Sequence, residues 1–205
     1  MDDLGRHLLA LGAVIVSMAA LFTVPPGYFA AATIGATGVM VAAAYALGAL
    51  RVPREVKPLA VLAGVASAAA LYLIFYLGGA TIDAIHPFGI TSASESSIYS
   101  LISSPSNPLY LQVLVLLFDS AGYESFFRGV LQSRLTPRLG VGAAPAVALL
   151  DAALHIMTLN PIWVGATFVT DLVWGLTYHY GRGTQASFVS HFLWDLAIFI
   201  IRPVT

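Results

Sequence analysis

The chain has 205 residues, of which 59% are hydrophobic and only 9% are charged, whereas a soluble domain carries about 25% charged residues. Its formal net charge is −1 and it has no cysteine, so disulfides, cysteine nucleophiles and cysteine-based zinc sites are excluded. No basic cluster indicates nucleic-acid binding, and several apolar runs reach the about 20 residues that cross a bilayer. The composition predicts an all-α, polytopic transmembrane helical bundle.

We predict seven membrane spans, or eight if a polar loop at residues 78–107 holds a half-helix. A short interfacial helix is expected in that loop at residues 96–102. All spans are expected to form a single membrane domain, 1–205, in which residues 1–80 supply packing helices and residues 108–202 form the functional core. The predicted spans are residues 8–24, 28–50, 59–77, 108–135, 143–159, 162–180 and 186–201.

Basic residues near helix ends predict the orientation of the bundle. The connector with Arg51, Arg54 and Lys57 is expected in the cytoplasm by the positive-inside rule. With seven spans, the N-terminus then lies on the same side and Arg202 lies outside. Estimated depths along the helices, at about 1.5 Å per residue, predict a cavity that opens to the cytoplasm as well. We therefore expect an integral protein of a prokaryotic cell membrane.

Ionisable residues of the predicted spans are confined to the second half of the chain. The first three spans carry no charged residue, whereas five of the ten acids lie in the later spans together with His155 and His191, and with His179 at the end of one span. Ionisable groups are costly inside a membrane and face the bundle interior or a cavity. The sequence therefore predicts one inward-facing functional site, with Asp119, Glu124, Asp151, Asp171, Asp195, His155 and His191.

Three pairs of polar residues are spaced four positions apart, so the members of each pair share a helix face. They are Glu124 with Arg128, Asp151 with His155, and His191 with Asp195. Asp171 is expected to have a structural role, either extending the polar cavity or pairing with Arg128, because charges inside a membrane find partners.

Three chemistries suit such a site, and the residues alone leave all three open. A carboxylate and an imidazole can activate a water molecule, while a second histidine supports an oxyanion. Two histidines with several carboxylates could also bind a divalent metal, although the H-E-x-x-H signature is absent. Acids and histidines inside a membrane are also the usual parts of a proton or ion path.

Three motifs follow one another on successive spans, and their pattern resembles that of a known family. The motifs are Tyr123-Glu124-Ser125-Phe126-Phe127-Arg128, then His155, then His191-Phe192-Leu193-Trp194-Asp195. They resemble E-E-x-x-x-R, F-x-x-x-H and H-x-x-x-N/D of the CPBP family, which comprises CAAX prenyl endopeptidases of type II and bacteriocin-processing (Abi) proteins. The resemblance extends from about residue 109 to the C-terminus.

The resemblance implies a glutamate-type intramembrane endopeptidase that needs no metal and no cofactor. Its expected partners are the lipid bilayer and a membrane-anchored or prenylated peptide substrate. A glutamate and His155 would activate water, while His191 and Asp195 would support the oxyanion. The alternatives are a non-catalytic CPBP-like scaffold or binding protein and a metal-binding membrane enzyme or transporter.

The first two motifs depart from the family pattern in a complementary way. Tyr123 stands where the first glutamate is expected, and a tyrosine hydroxyl, with a pKa of about 10, is a poor base at neutral pH. Asp151 stands where the pattern has phenylalanine. We expect Asp151 to supply the carboxylate that Tyr123 cannot. Asp119, one helical turn before Tyr123, is the second candidate.

Overall fold

The computed structural model describes residues 3–50, 55–85, 107–181 and 183–202, and all regular secondary structure in these ranges is helical. Single 3₁₀ turns and two π-helical segments, Glu124–Gln132 and Ala197–Ile201, join or extend the α-helices. The α-helices are α1 Asp3–Thr23, α2 Phe29–Ala46, α3 Pro58–Ile85, α4 Leu109–Tyr123, α5 Ser133–Leu139, α6 Ala143–His155, α7 Pro161–Tyr180 and α8 Thr184–Leu196.

Five stretches of the described chain are long and apolar enough to cross a membrane. This confirms the predicted all-α, polytopic membrane bundle, and the chain is an integral membrane protein. The number of spans, seven or eight, stays a prediction. The five stretches are Leu4–Thr23, Pro26–Ala46, Pro58–Thr81, Leu109–Thr158 and Thr184–Ile201.

The predicted polar loop begins later than its composition indicated. We placed its start at Gly78, but α3 continues to Ile85. Glycine disfavours a helix by only about 1 kcal/mol relative to alanine, so Gly78 and Gly79 do not end this apolar helix. The Thr81 hydroxyl donates to the Leu77 carbonyl oxygen within the extension. The interfacial helix expected at residues 96–102 lies outside the described residues.

Sharp turns set the ends of the helices that carry the site. Gly140, with φ of 55°, lies directly after α5 and lets the chain reverse into α6. Between α6 and α7, the Asn160 side chain accepts hydrogen bonds from the amides of Ile162 and Trp163. This is an N-cap followed by proline at the first helical position, both of which favour a helix start. The cap directs α7 back alongside α6.

Two apolar clusters hold the bundle together on either side of the polar centre. The first joins α1, α2, α6 and the π segment Glu124–Gln132, and the second joins α3, α7 and α8. Between these clusters, two glycines allow pairs of helices to approach each other closely. A Cβ at Gly122 would lie 2.4 Å from Cγ2 of Thr37, and one at Gly175 would lie 2.9 Å from Cβ of Ala144. The close contacts bring the polar faces of α2, α4, α6 and α7 together.

Candidate active site

A cavity of about 470 Å³ lies within the bundle, and most of its lining is apolar. Helices α1 to α4 and α6 to α8 contribute side chains to its wall. The N-terminal helices therefore line the cavity in addition to packing around the core. Its ionisable lining residues, among those that the structure describes, are Asp119, Tyr123, His155, His191 and Asp195.

The position of the cavity bears on one prediction about topology. It is lined by the end of α1, at Met18 to Phe22, and by the start of α2, at Phe29 and Ala30. It thus lies in the half of the bundle away from the N-terminus of α1. This position gives no support to the expectation that the N-terminus and the cavity face the same side. The expectation rested on depths counted from uncertain helix ends, whereas the lining comes from residues of seven α-helices.

Arg128 is the centre of a buried ion-pair network. Its Nε lies 3.4 Å from Oε2 of Glu124. Its Nη1 donates to Oδ2 of Asp171 over 3.2 Å, and its Nη2 donates to the carbonyl oxygen and Oδ1 of the same residue. Arg128 and Asp171 are both 0% exposed. The pairing of Arg128 with Glu124 and with Asp171 agrees with the spacing and charge of the sequence.

His191 lies between two carboxylates on the wall of the cavity. Its Nδ1 is 3.0 Å from Oε1 of Glu124, and its Nε2 is 3.4 Å from Oδ2 of Asp195. An ionised carboxylate only accepts hydrogen bonds, so the imidazole donates its Nδ1–H to Glu124. The indole of Trp174 stacks on the ring, with centroids 3.6 Å apart and planes 14° apart. These contacts fix the orientation of the imidazole.

His155 forms a second pair with Asp151, as the four-residue spacing predicts. Its Nδ1 lies 3.0 Å from the backbone oxygen of Asp151 and 3.5 Å from Oδ1 of the same residue. The Tyr123 hydroxyl donates to the other carboxylate oxygen of Asp151. Asp151 is fully buried behind His155 and Tyr123, both of which line the cavity.

Asp119 stands on the cavity wall near His191 and Asp195. It is half-buried, and its Oδ1 accepts a hydrogen bond of 2.7 Å from the Thr37 hydroxyl of α2. One ligand-type atom from each of Asp119, His191 and Asp195 lies within 4.8 Å of the others. The cavity therefore has two carboxylates and an imidazole close together on one part of its wall.

The two histidines have different carboxylate partners. The resemblance pairs the first glutamate of the first motif with His155, but Tyr123 occupies that position, and Glu124 aligns with the second glutamate. In the described part of the chain, Glu124 contacts His191 and Arg128, whereas His155 contacts Asp151. The first motif and the last motif thus share one centre, and the second motif forms its own centre with Tyr123.

Three residues of the site were not predicted from the sequence. Thr37 lies in a span without charges, and Trp174 was assigned no chemistry. Gln132 is fully buried and donates to the carbonyl oxygen of Gly175 over 2.8 Å. A signal for it existed, because Glu124, Arg128 and Gln132 recur every four residues in an apolar run.

The fold and the site define a polytopic helical membrane protein in which two carboxylate–imidazole pairs border one largely apolar cavity. Residues 105–197, which contain all three motifs, match the family model described as type II CAAX prenyl endopeptidase Rce1-like. The match covers 93 of the 205 residues and confirms, over this part of the chain, the resemblance drawn from the motifs. No curated protein and no solved structure matches the chain.

Proposed function

We propose that the chain is an intramembrane endopeptidase that hydrolyses a peptide bond in a membrane-anchored or prenylated substrate. The observation that carries the proposal is that both buried histidines line the same cavity, each with its Nδ1 against an acidic residue. In each ring Nε2 is then left for chemistry in the cavity. The largely apolar lining of about 470 Å³ suits a lipid-modified or apolar segment.

In this proposal His155 is the general base. Its Nδ1–H donates to the backbone oxygen of Asp151 over 3.0 Å, and Oδ1 of the same residue lies 3.5 Å away, so Nε2 can accept a proton from a water molecule in the cavity. The hydroxide attacks the carbonyl carbon of the scissile bond. His155 then returns the proton to the leaving amine, and the peptide C–N bond breaks.

We assign support of the tetrahedral oxyanion to His191. Glu124 holds its Nδ1–H at 3.0 Å and Trp174 stacks on its ring. In the protonated imidazolium form His191 also carries an N–H at Nε2, and this N–H would donate to the oxyanion, which is worth several kcal/mol when the donor is preorganised. Asp195, 3.4 Å from Nε2, orients this nitrogen in the absence of substrate.

Asp151 takes the place of the missing first glutamate in this scheme. It acts through His155, and the Tyr123 hydroxyl positions its other oxygen. Asp119 remains the second candidate for the carboxylate, because it lines the cavity and Asp151 does not.

One observation favours a second function, that of a non-catalytic membrane protein that binds a lipid or a peptide in the cavity. Both Glu124 and Asp151 are fully or almost fully buried and absent from the cavity lining. The Tyr123 hydroxyl also occupies one oxygen of Asp151. If Glu124 and Asp151 only stabilise the fold, the cavity would bind a ligand without activating water.

We infer that the protein resides in a prokaryotic cell membrane with its N-terminus in the cytoplasm. Arg6 lies at the start of α1, Lys57 precedes α3, and Arg134 reaches the Leu47 carbonyl oxygen beyond the end of α2. These basic groups share the face of the bundle away from the cavity. The positive-inside rule then places the cavity in the non-cytoplasmic half of the membrane.

The test is cleavage of fluorogenic peptides by protein purified in detergent. Farnesylated and unmodified versions of one peptide are compared, with wild type beside His155→Ala and Tyr123→Glu. His179→Ala is the matched control, because His179 lies near the end of α7 and outside the cavity lining. We expect wild type and the control to cleave and His155→Ala to lose at least about 100-fold in rate.

Two results would decide against catalysis by the native chain. Cleavage that survives His155→Ala would remove the proposed general base. No cleavage by wild type, with activity gained in Tyr123→Glu, would identify a binding protein that lacks its catalytic carboxylate.

A further inference from the structure

We propose that Asp119, His191 and Asp195 form a divalent-cation site on the wall of the cavity. One carboxylate oxygen from each aspartate and one nitrogen of the imidazole lie within 4.8 Å of one another. The ligands come from the facing helices α4 and α8. The inference concerns binding alone and does not depend on the proposed endopeptidase activity.

The orientation of His191 points to a ligand. Its Nδ1–H is held by Glu124 over 3.0 Å, and the ring stacks on Trp174. Histidines that bind a metal usually donate their other ring N–H to a carboxylate, which fixes the tautomer and the direction of the free nitrogen. The side chain is 95% buried, and its Nε2 is directed to the region of the two aspartates. The imidazole is therefore preorganised as a ligand.

Asp119 is also held by a second residue. The Thr37 hydroxyl donates to Oδ1 over 2.7 Å, so Oδ2 is the oxygen available to a cation. The close approach of α2 and α4 at Gly122 fixes this contact, because a Cβ there would lie 2.4 Å from Cγ2 of Thr37. Two of the three ligands thus have supporting hydrogen bonds from neighbouring helices.

The local charge balance favours a cation at this site. Among the described residues, the ion pairs of Arg128 involve Glu124 and Asp171, whereas the ion pair of Asp195 involves only His191. No described Lys or Arg side chain pairs with Asp119. Two carboxylates and an imidazole lone pair are all acceptors, and unpaired anions are costly away from water. One divalent cation would neutralise both aspartates.

The ligand set indicates which class of cation would bind. An imidazole with two carboxylates suits zinc or a neighbouring transition metal, whereas magnesium and calcium prefer oxygen ligands alone. Zinc–ligand bonds of about 2.0–2.2 Å place tetrahedral ligands about 3.3–3.6 Å apart. The distance from Nε2 of His191 to Oδ2 of Asp195 is already 3.4 Å. A small rotation of the Asp119 side chain would complete three ligands, and the fourth position would face the cavity.

The test is zinc binding by the full chain, purified in detergent through a tag without histidine and stripped with a chelator. Calorimetric titration with zinc chloride should give one ion per chain for wild type. Asp119→Asn and Asp195→Asn should each weaken binding at least about 10-fold. Asparagine retains the volume of each side chain and an oxygen for Thr37. His179→Ala is the matched control, because His179 lies near the end of α7 and outside the cavity lining, and it should bind as wild type.

A second measurement keeps the inference testable if an asparagine variant fails to fold. Cobalt(II) added to wild type should give the visible absorption of a four- or five-coordinate ion with a nitrogen ligand. Less than about 0.2 zinc per wild-type chain would overturn the site. Unchanged affinity in both folded asparagine variants, or a spectrum of hydrated cobalt, would also overturn it. Cleavage is measured on zinc-free protein, because zinc on Nε2 of His191 would replace the N–H that the endopeptidase proposal requires. Cleavage by a protein that binds no zinc on titration would refute only the cation site, and zinc binding by a protein that does not cleave when zinc-free would refute only the endopeptidase.

Discussion

The guanidinium of Arg128 holds two carboxylates from different parts of the bundle. Glu124 precedes it by four residues in the same π segment, and Asp171 lies on α7. Replacing both members of a buried ion pair can be neutral, but removing one member leaves the other charge unpaired. Arg128 is shared, so its loss would strand two anions and would release Glu124 from its position beside His191.

Arg128→Met is therefore expected to destabilise the protein by about 3–5 kcal/mol or more. Thermal unfolding in detergent measures this effect, and the double variant Arg128→Met/Asp171→Leu should recover part of the loss. The matched control is Arg138→Met, because Arg138 is exposed in α5. Equal unfolding temperatures for Arg128→Met and Arg138→Met would contradict the role given to this network.

Tyr123 is the residue by which this chain differs from the first family motif. Its hydroxyl donates to Asp151, and its ring stacks on Phe127 with centroids 4.3 Å apart. Tyr123→Phe keeps the stacking but leaves one oxygen of a fully buried carboxylate without its donor. An unsatisfied buried group costs about 1–3 kcal/mol, so we expect a stability loss of that size.

The matched control for this change is Tyr110→Phe, at an exposed position near the start of α4. Chemical unfolding of both variants, followed by tryptophan fluorescence, provides the measurement. If Tyr123→Phe is as stable as wild type, the hydroxyl does not hold Asp151 in the folded protein.

Residue pairs within one helix could be predicted from the sequence, whereas pairs between helices could not. The four-residue spacing of Asp151 with His155 and of His191 with Asp195 gave contacts of 3.5 and 3.4 Å. The contact of Glu124 with His191 depends on the rotation of two separate helices. No local pattern encodes that rotation, and it explains why the sequence did not pair these residues.

At the scale of elements, the clearest difference between the predicted and the observed structure is the π segment Glu124–Gln132. A π-helix bonds residue i to i+5 and turns more slowly than an α-helix, so it shifts the phase of the side chains that follow. In this protein it carries Glu124 and Arg128 in the ion-pair network and Gln132 against Gly175. The sequence predicted a continuous helix, because apolar periodicity does not distinguish the two geometries over nine residues.

The close approach of α2 and α4 is a second element-scale feature, and Gly122 permits it. A Cβ at residue 122 would lie 2.4 Å from Cγ2 and 3.1 Å from the carbonyl oxygen of Thr37. Gly122→Ala must therefore push α2 away and weaken the bond from Thr37 to Asp119. We expect a loss of about 1–3 kcal/mol, as for other overpacked cores.

Two further variants separate crowding from a general effect of alanine. Gly12→Ala in α1 has nothing within 4 Å of the added Cβ and should be neutral or slightly stabilising. Thr37→Ser removes the methyl group that clashes and keeps the hydroxyl, so the double variant Gly122→Ala/Thr37→Ser should regain part of the lost unfolding temperature. Additive losses in the double variant would rule out this close contact as the cause.

At the scale of the whole molecule, the cavity and the basic residues Lys57 and Arg134 lie in opposite halves of the bundle, whereas Arg202 lies on the side of the cavity. The ends of α1 and α6 and the starts of α2, α4 and α7 surround the cavity. Lys57 and Arg134 lie near the opposite ends of the helices. The Lys57 backbone amide donates to the side-chain oxygen of Gln185, and the Arg134 side chain donates to the carbonyl oxygen of Leu47. A substrate that reaches the cavity directly from solvent would therefore come from the side away from these basic groups.

This arrangement predicts labelling from opposite sides of the membrane. The chain has no cysteine, so single cysteines can be added at Leu159, which is 89% exposed beyond α6, and at the exposed Lys57. A membrane-impermeant thiol reagent applied to intact cells should label Leu159→Cys and spare Lys57→Cys. Both should react after permeabilisation, and the cysteine-free parent should react in neither condition. The reverse pattern would place the cavity in the cytoplasmic half, against the positive-inside rule, and labelling of both in intact cells would contradict their location on opposite faces.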